Sequence, residues 1–288
     1  MSTKTGHTAP SAKAAPGVRS FAILTDVTRC IGCEECVAAC KKTNETGEDD
    51  APWKWQGGAE ELSSTRWTTI ARTQGRYVRV QCRHCLDPAC AAACPVGALH
   101  TTESGAVAYD ADICMGCRYC MVACPFRMTR YEWNSPMPRV RKCVLCYDAL
   151  TSGELDQPAC TAACPTNATI FGEREALLAE ARRRIAAAPD KYVNHIWGEH
   201  EVGGTSVLYI SDVELTAAGW PEKLPGHAVP DLATTVLSTV PATFLTVGAG
   251  MAGIHWVIRR RDKLAADAAD APPPRPDTGD SNDDEVSS

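Results

Sequence analysis

Several familiar signatures are missing from this chain of 288 residues. Residues 1–20 hold no apolar run of signal-peptide length and no Arg-Arg pair, so the sequence predicts no export leader of its own. Positive charge is not in excess. The 29 Lys and Arg are outnumbered by 35 Asp and Glu, for a net charge of −6 and a pI near 5.7. That balance leaves no electrostatic footprint for nucleic acid. Hydrophobic residues make up 44%, an ordinary globular share, which excludes a wholly disordered chain and a bundle of membrane helices. The length leaves room for one or two domains with real cores. Nothing in the sequence marks a substrate acid, base or nucleophile.

What the chain has in excess is cysteine, at 16 residues. Disulfides, zinc and iron–sulfur clusters compete to explain them. Disulfides suit short secreted chains without a core; zinc and iron are separated by spacing. The cysteines fall into four groups with none left over. Cys30, Cys33, Cys36 and Cys40 lie in CIGCEECVAAC, and Cys82, Cys85, Cys90 and Cys94 in CRHCLDPACAAACP. Cys114, Cys117, Cys120 and Cys124 lie in CMGCRYCMVACP. Cys143 and Cys146 lie in CVLC, followed after a spacer by Cys160 and Cys164 in CTAACP. The first and third groups read C-x2-C-x2-C-x3-C, the bacterial ferredoxin run. The second and fourth have a longer gap before the third cysteine and keep the C-x3-C-P ending. A zinc ribbon needs two knuckles and no such ending.

The physics of the run is local. Three thiolates on a tight loop wrap one face of a cubane, and Gly32 and Gly116 let the backbone turn N–H groups toward sulfur. The fourth cysteine is expected to begin a helix leading away, with Pro95, Pro125 or Pro165 at its first position; Lys41 stands there in the first group. It therefore ligates the other cluster of a pair. Adjacent groups two and three then form one two-cluster module, and groups one and four pair around it. The predicted clusters are Cys30, Cys33, Cys36 and Cys164; Cys40, Cys143, Cys146 and Cys160; Cys82, Cys85, Cys90 and Cys124; and Cys94, Cys114, Cys117 and Cys120. The predicted fold is α+β, two nested bacterial 2[4Fe–4S] ferredoxin-like modules plus one C-terminal transmembrane helix. Every quartet is complete, so four [4Fe–4S] clusters are expected, with iron on all sixteen cysteines. Four such centres read as an electron wire without a substrate site. An iron–sulfur sensor, or an enzyme that reacts at a cluster, is the alternative; the latter needs an open coordination position.

The expected organisation is a disordered segment 1–20, a four-cluster domain 21–175, a helix-strand extension and linker 176–230, a transmembrane helix 231–259 and a disordered tail 260–288. The inner module covers about 77–130 and the outer module 21–43 with 140–172. FAILTD (21–26), YVRVQ (77–81), AVAYD (106–110) and VLYISDV (207–213) read as strands, and segments after each fourth cysteine as short helices. Residues 44–66 read as an inserted surface loop, in which Trp53, Trp55 and Trp67 either face a partner or pin the insert to the core. REALLAEARRRIAAA (174–188) is an amphipathic helix with Leu177, Leu178, Ala181 and Ile185 inward and its arginine run 182–184 solvated. His84, inside a complete quartet, is expected to be exposed or to support the ligands.

Residues 232–258 carry no charged side chain, long enough to span a bilayer. Pro241 is tolerable there, and Trp256 falls at interface depth. Gly248, Gly250 and Gly253 spell G-x-G-x-x-G, but inside an apolar span they read as small residues for helix packing. His255 either touches a redox group or neighbour or reaches for the interface. Arg259, Arg260, Arg261 and Lys263 follow directly, which puts the C-terminus in the cytoplasm and the cluster domain on the periplasmic side of the inner membrane.

These motifs, with EREALLAEARRRIA, the Gly-Gly-Thr strand at 203–210 and the terminal anchor, resemble the iron–sulfur subunits of membrane-bound respiratory oxidoreductases. The likeness is to the hydrogenase-2 type and to the formate dehydrogenase N beta subunit, over roughly 20–260. It implies a catalytic partner, either a NiFe hydrogenase or a molybdenum enzyme such as formate dehydrogenase. It also implies an integral-membrane quinone-reacting or cytochrome b partner. The cluster of Cys30, Cys33, Cys36 and Cys164 would face the former, and that of Cys94, Cys114, Cys117 and Cys120 the latter. Relatives without a leader are exported folded with a signal-bearing partner, the route the resemblance implies here.

Overall fold

The computed structural model describes residues 20–48, 62–218 and 220–269. The chain divides into two units, Met1–Ala233 and Thr234–Ser288. Trp53 and Trp55 lie outside the described residues.

The first unit mixes short strands and short helices. Strand β1 (Phe21–Asp26) is the centre of a three-stranded sheet. It pairs antiparallel with β8 (Thr169–Glu173) and parallel with β9 (Val207–Ile210), Leu24 lying opposite Ile170 and Leu208. Being central, β1 is buried on both faces. Ala22 and Leu24 point into a small core with Leu177, Leu178, Ala181 and Ile185 of helix α6 (Arg174–Ala187). Ile23 points the other way, into a larger core that contains Cys36, Cys82, Cys143 and Cys160. The α6 stripe read from the sequence is thus the buried stripe. Its arginine run is only partly solvated: Arg184 reaches in to Asp26, 1% exposed, at 3.2 Å, whereas Arg183 pairs with Glu180 at the surface. A buried carboxylate needs such a partner.

Strands β2 (Thr68–Thr73) and β3 (Arg76–Gln81) form a hairpin. Its turn residues Gln74 and Gly75 have φ of 46° and 78°, the two-residue turn whose twist matches the strands. Trp67, just before β2, packs against the larger core and donates its indole N–H to the Ser64 carbonyl at 2.7 Å, so it pins the insert to the core. Two smaller hairpins follow, β4 (Leu99–Thr101) with β5 (Val107–Tyr109), and β6 (Arg130–Tyr131) with β7 (Val140–Arg141).

The pairings join distant sequence. β1 leads into the first cysteine group and β8 leaves the fourth, so their ladder brings those groups together. Helix α1 (Glu35–Thr43) packs on α5 (Ala159–Ala162), and α2 (Ala89–Ala92) on α3 (Tyr119–Ala123). Helix α4 (Tyr147–Thr151) follows Cys146.

The terminal apolar stretch is not one helix from 231 to 259. Helix α7 (Val229–Leu237) stops, and α8 (Val240–Ala269) begins after a turn. Pro241 has no N–H for the Leu237 carbonyl and sits instead in the first turn of α8, where none is needed. At the other end α8 runs to Ala269, beyond the start expected for a disordered tail, because RRRDKLAADAA is rich in strong helix formers. Among the described residues α8 is the one helix long and apolar enough to cross a membrane. Its apolar part, 240–258, rises about 28 Å, close to the hydrocarbon thickness.

Gly198 provides a test of the packing behind β9. Its φ is +96°, and an added Cβ would meet the Thr205 hydroxyl and lie 2.8 Å from the Val207 carbonyl oxygen. Gly198→Ala should cost about 1–3 kcal/mol from backbone strain alone, read as a lowered denaturation midpoint. An unchanged midpoint would mean that this corner repacks freely.

Candidate iron–sulfur centres

All four C-x2-C loops bend in the same way. The residue before the second cysteine has positive φ in each: Gly32 and Gly116 at 71°, His84 at 49° and Leu145 at 59°. Glycine adopts this conformation without strain, whereas His84 and Leu145 hold it at a cost. The bend turns an N–H back onto the preceding sulfur, as where Leu145 N donates to Cys143 Sγ at 3.4 Å. An added Cβ at Gly32 would sit 2.6 Å from the Tyr77 ring, so packing also restricts that loop.

The third cysteine of each group lies within a helix, Cys36 in α1, Cys90 in α2, Cys120 in α3 and Cys160 in α5. The expectation that the fourth cysteine begins a helix is corrected here. Helices α2, α3 and α5 end one or two residues before Cys94, Cys124 and Cys164. Each Cys-Pro then opens a turn, closed by N–H groups of Gly97, Arg127 and Asn167 to the cysteine carbonyls at 3.3, 3.1 and 3.3 Å. Proline breaks the preceding helix and favours this turn position. Where Lys41 replaces proline, α1 continues past Cys40 to Thr43.

Two of the predicted sets of thiols each line one space. Cys40, Cys143, Cys146 and Cys160 line one space, with Ile23, Asn44 and Gln81 on its walls. Cys94, Cys114, Cys117 and Cys120 line another, beside Leu99, Tyr109 and Val140. For the remaining sets the neighbours are seen in their mutual charge. Burial pushes the Cys30 thiol up, and Cys164 and Cys33 push it further. Burial likewise raises Cys85 well above its usual value, helped by Cys82, Cys124 and Cys90. Neighbouring sets also feel one another. Cys36 is raised to about 11 by burial with Cys160 contributing, Cys143 by burial with Cys82, and Cys90 to about 12 by burial with Cys120.

Such crowding of buried thiols calls for a compensating cation. All sixteen are free of disulfides. Among the described residues no three His, Cys, Asp or Glu side chains converge on a single-ion position. A cubane asks for something different, one thiolate at each of four corners. The donor set and the two cysteine-lined spaces fit that group. Polar neighbours tune individual sulfurs. Burial would raise Cys114, but the Tyr109 hydroxyl and the Gly116 and Val140 N–H groups outweigh it and lower its pKa. Cys164 is lowered despite burial by N–H and hydroxyl groups of Thr166, Ala168 and Thr169.

Some of the surrounding chemistry escaped sequence reasoning. His84 is fully buried, which excludes the exposed one of its two expected positions. Its Nδ1 accepts the Val107 N–H at 2.9 Å, and burial, with Lys142 nearby, holds it neutral. Arg83, 1% exposed, stacks over Trp220 and Tyr209 at 4.5 and 4.7 Å and donates to the Ala218 carbonyl at 3.0 Å. The only signal for these roles was their place inside C-R-H-C.

The 4Fe-4S dicluster domain family matches residues 73–174. The chain belongs to the iron–sulfur electron-transfer subunits of respiratory oxidoreductases, which carry electrons and do not themselves catalyse a substrate reaction, and it binds [4Fe–4S] clusters. It is similar to the Hydrogenase-2 operon protein HybA of Escherichia coli O157:H7, at 33% identity over 283 residues, covering 85% of each chain. It is also similar to a protein of Nitratidesulfovibrio vulgaris Hildenborough, at 36% identity over 281 residues, 92% of this chain and 75% of that one. The nitrate-inducible formate dehydrogenase iron-sulfur subunit of Escherichia coli K12 shares 34% identity over 200 residues, 65% of this chain and 66% of its own.

Removing the metal should undo the core around it. Four thiols sit in the same core as Trp220, which is 2% exposed. Stripping iron with a chelator under reducing conditions should shift tryptophan emission to the red and weaken the far-UV signal. Unchanged spectra would show that the core stands without metal.

Proposed function

We propose that this chain carries electrons one at a time through four [4Fe–4S] clusters, between a catalytic subunit and a quinone-reacting membrane subunit. The carrying observation is the pair of cysteine-lined spaces, each bounded by three cysteines from one group and one from another. The proposed ligands are Cys30, Cys33, Cys36 and Cys164; Cys40, Cys143, Cys146 and Cys160; Cys82, Cys85, Cys90 and Cys124; and Cys94, Cys114, Cys117 and Cys120. Each cluster, when bound, accepts and releases one electron with little rearrangement. The protein supplies thiolates, N–H donors to sulfur and burial, which set the potentials.

In this reading the α2–α3 pair belongs to an inner ferredoxin-like module, about 77–130. The α1–α5 pair belongs to an outer one, 21–43 with 140–172. Residues 176–230 form an extension that closes the sheet through β9. The two ends of the four-cluster series are the contact points. Cys33 and Cys117 are exposed, whereas Cys36, Cys90, Cys143 and Cys160 are buried. Apolar side chains stand exposed beside both, Ile31 at one end and Met115, Tyr119 and Val122 at the other. The relatives named for hydrogenase-2 and formate dehydrogenase support a catalytic partner of hydrogenase or molybdenum type. Helix α8 anchors the chain by a single pass, and its trailing arginines orient the C-terminus to the cytoplasm and the cluster domain to the periplasm.

Cysteine exchange tests the nesting. Cys82→Ala and Cys124→Ala, from different groups, should extinguish the same EPR signal, and Cys94→Ala and Cys114→Ala a different one. Iron should fall from about sixteen to about twelve per chain in each. Loss of different signals from Cys82→Ala and Cys124→Ala would sink the pairing. For the anchor, truncation after Ser238 should move the chain from the membrane to the soluble fraction; continued membrane retention on its own would rule out α8 as the anchor.

A further inference from the structure

Outside the thiol sets, the side chain least accounted for by its surroundings is Arg79. It is 2% exposed, and none of its guanidinium nitrogens has a hydrogen-bond partner among the described residues. A buried, unpaired guanidinium is one of the costlier things a fold can contain. Its place on β3 says where it points. Arg79 alternates along the strand with Val78 and Val80 and shares its face with Tyr77 and Gln81. Gln81 is fully buried, its amide unpartnered, and lines the space bounded by Cys40, Cys143, Cys146 and Cys160. Two unpartnered polar side chains on one strand face thus converge on the thiols. Tyr209 donates to the Arg79 carbonyl at 2.7 Å, which fixes the strand and leaves the guanidinium uncommitted. Burial would depress the charge on Arg79, yet Cys160, Tyr209, Cys36 and Cys143 reverse the sign and hold it firmly cationic. Tyr77, on the same face of β3, packs its ring against Gly32 in the loop between Cys30 and Cys33, so Arg79 stands on that strand between the first cysteine loop and the space that Gln81 lines.

We propose that Arg79 is a fixed cation shared by the first and second clusters, directing its N–H groups at their sulfur and holding both reduction potentials up. The inference rests on the four-cluster reading above. On reduction each of these clusters takes one electron from its neighbour or from the partner enzyme. No bond or proton moves, and each gains one negative charge. A nearby cation favours the more negative form, and N–H groups aimed at sulfur act in the same direction. Arg79 therefore makes these two clusters better electron acceptors than their burial alone would allow.

The test is a potentiometric EPR titration of the membrane-assembled complex carrying R79Q or R79K, with iron counted in the same preparations. In R79Q, two of the four clusters should show at least a tenfold lower reduced-to-oxidised ratio at fixed solution potential. That is a downward shift of about 59 mV by the one-electron constant. The other two should stay in place. R79K keeps the charge and should recover at least half of the shift. No shift, an equal shift of all four, or an R79K indistinguishable from R79Q would overturn the proposal. If R79Q does not assemble, wild-type protein grown with guanidino-15N arginine decides: nitrogen coupling is expected on cluster signals and should weaken in R79K, and its absence from every signal refutes the contact. About sixteen irons per wild-type chain with no shift would sink Arg79 alone, whereas far fewer irons would sink the four-cluster reading first.

Discussion

A C-x3-C step on a helix carries two sulfurs one turn apart, about 6 Å along the axis. In the proposed ligation one cubane does not use both, since the three-cysteine loop already covers its face, and the fourth sulfur serves a neighbour. In α1 this step joins Cys36 to Cys40, whereas α5 ends before Cys164 and the step from Cys160 finishes in a turn. The rest of the fold follows from satisfying those crossed obligations. Two helices must lie side by side, α1 on α5 and α2 on α3, and the strands that feed them must pair. The β1–β8 ladder is the return connection that lets cysteines more than a hundred residues apart share one space. The same short step also keeps consecutive redox centres close, so ligation and conduction have a common geometric origin.

Gathering sixteen thiols creates a charge problem, and the surroundings answer it. Arg79, Arg83 and Lys142 are all buried near cysteines. Arg83 is held by aromatic faces and a carbonyl, and Lys142 by the carbonyls of Val107 and Cys143. Arg79 alone of the three keeps its whole guanidinium uncommitted among the described residues. Backbone N–H groups complete the field, because the bend before each second cysteine turns them toward sulfur. That the bend persists with histidine and leucine in place of glycine indicates how strongly ligation over-determines the loop.

Much of this was legible beforehand because it is local. Cysteine spacing is a covalent fact, and C-x2-C-x2-C-x3-C encodes its own loop and its own inability to close on one cube. The stripe of Leu177, Leu178, Ala181 and Ile185 repeats at helical period and is buried as read. Strands at 21–26, 77–81 and 107–109 also announced themselves by composition. Local reasoning failed where a single residue redirected the chain. Proline after the fourth cysteine ends a helix where it was expected to start one, and Pro241 breaks the apolar stretch that looked continuous.

The sequence by itself determined the cofactor chemistry, the grouping of cysteines and the presence of an apolar terminal helix, since each depends on residue identity and spacing alone. Only the tertiary structure decided what surrounds the thiols. Whether His84 is buried, which carbonyls hold Lys142 and that Arg79 is buried without a hydrogen-bond partner among the described residues depend on long-range strand pairing. An arginine in YVRVQ looks like any solvated strand residue until both faces of its strand are covered.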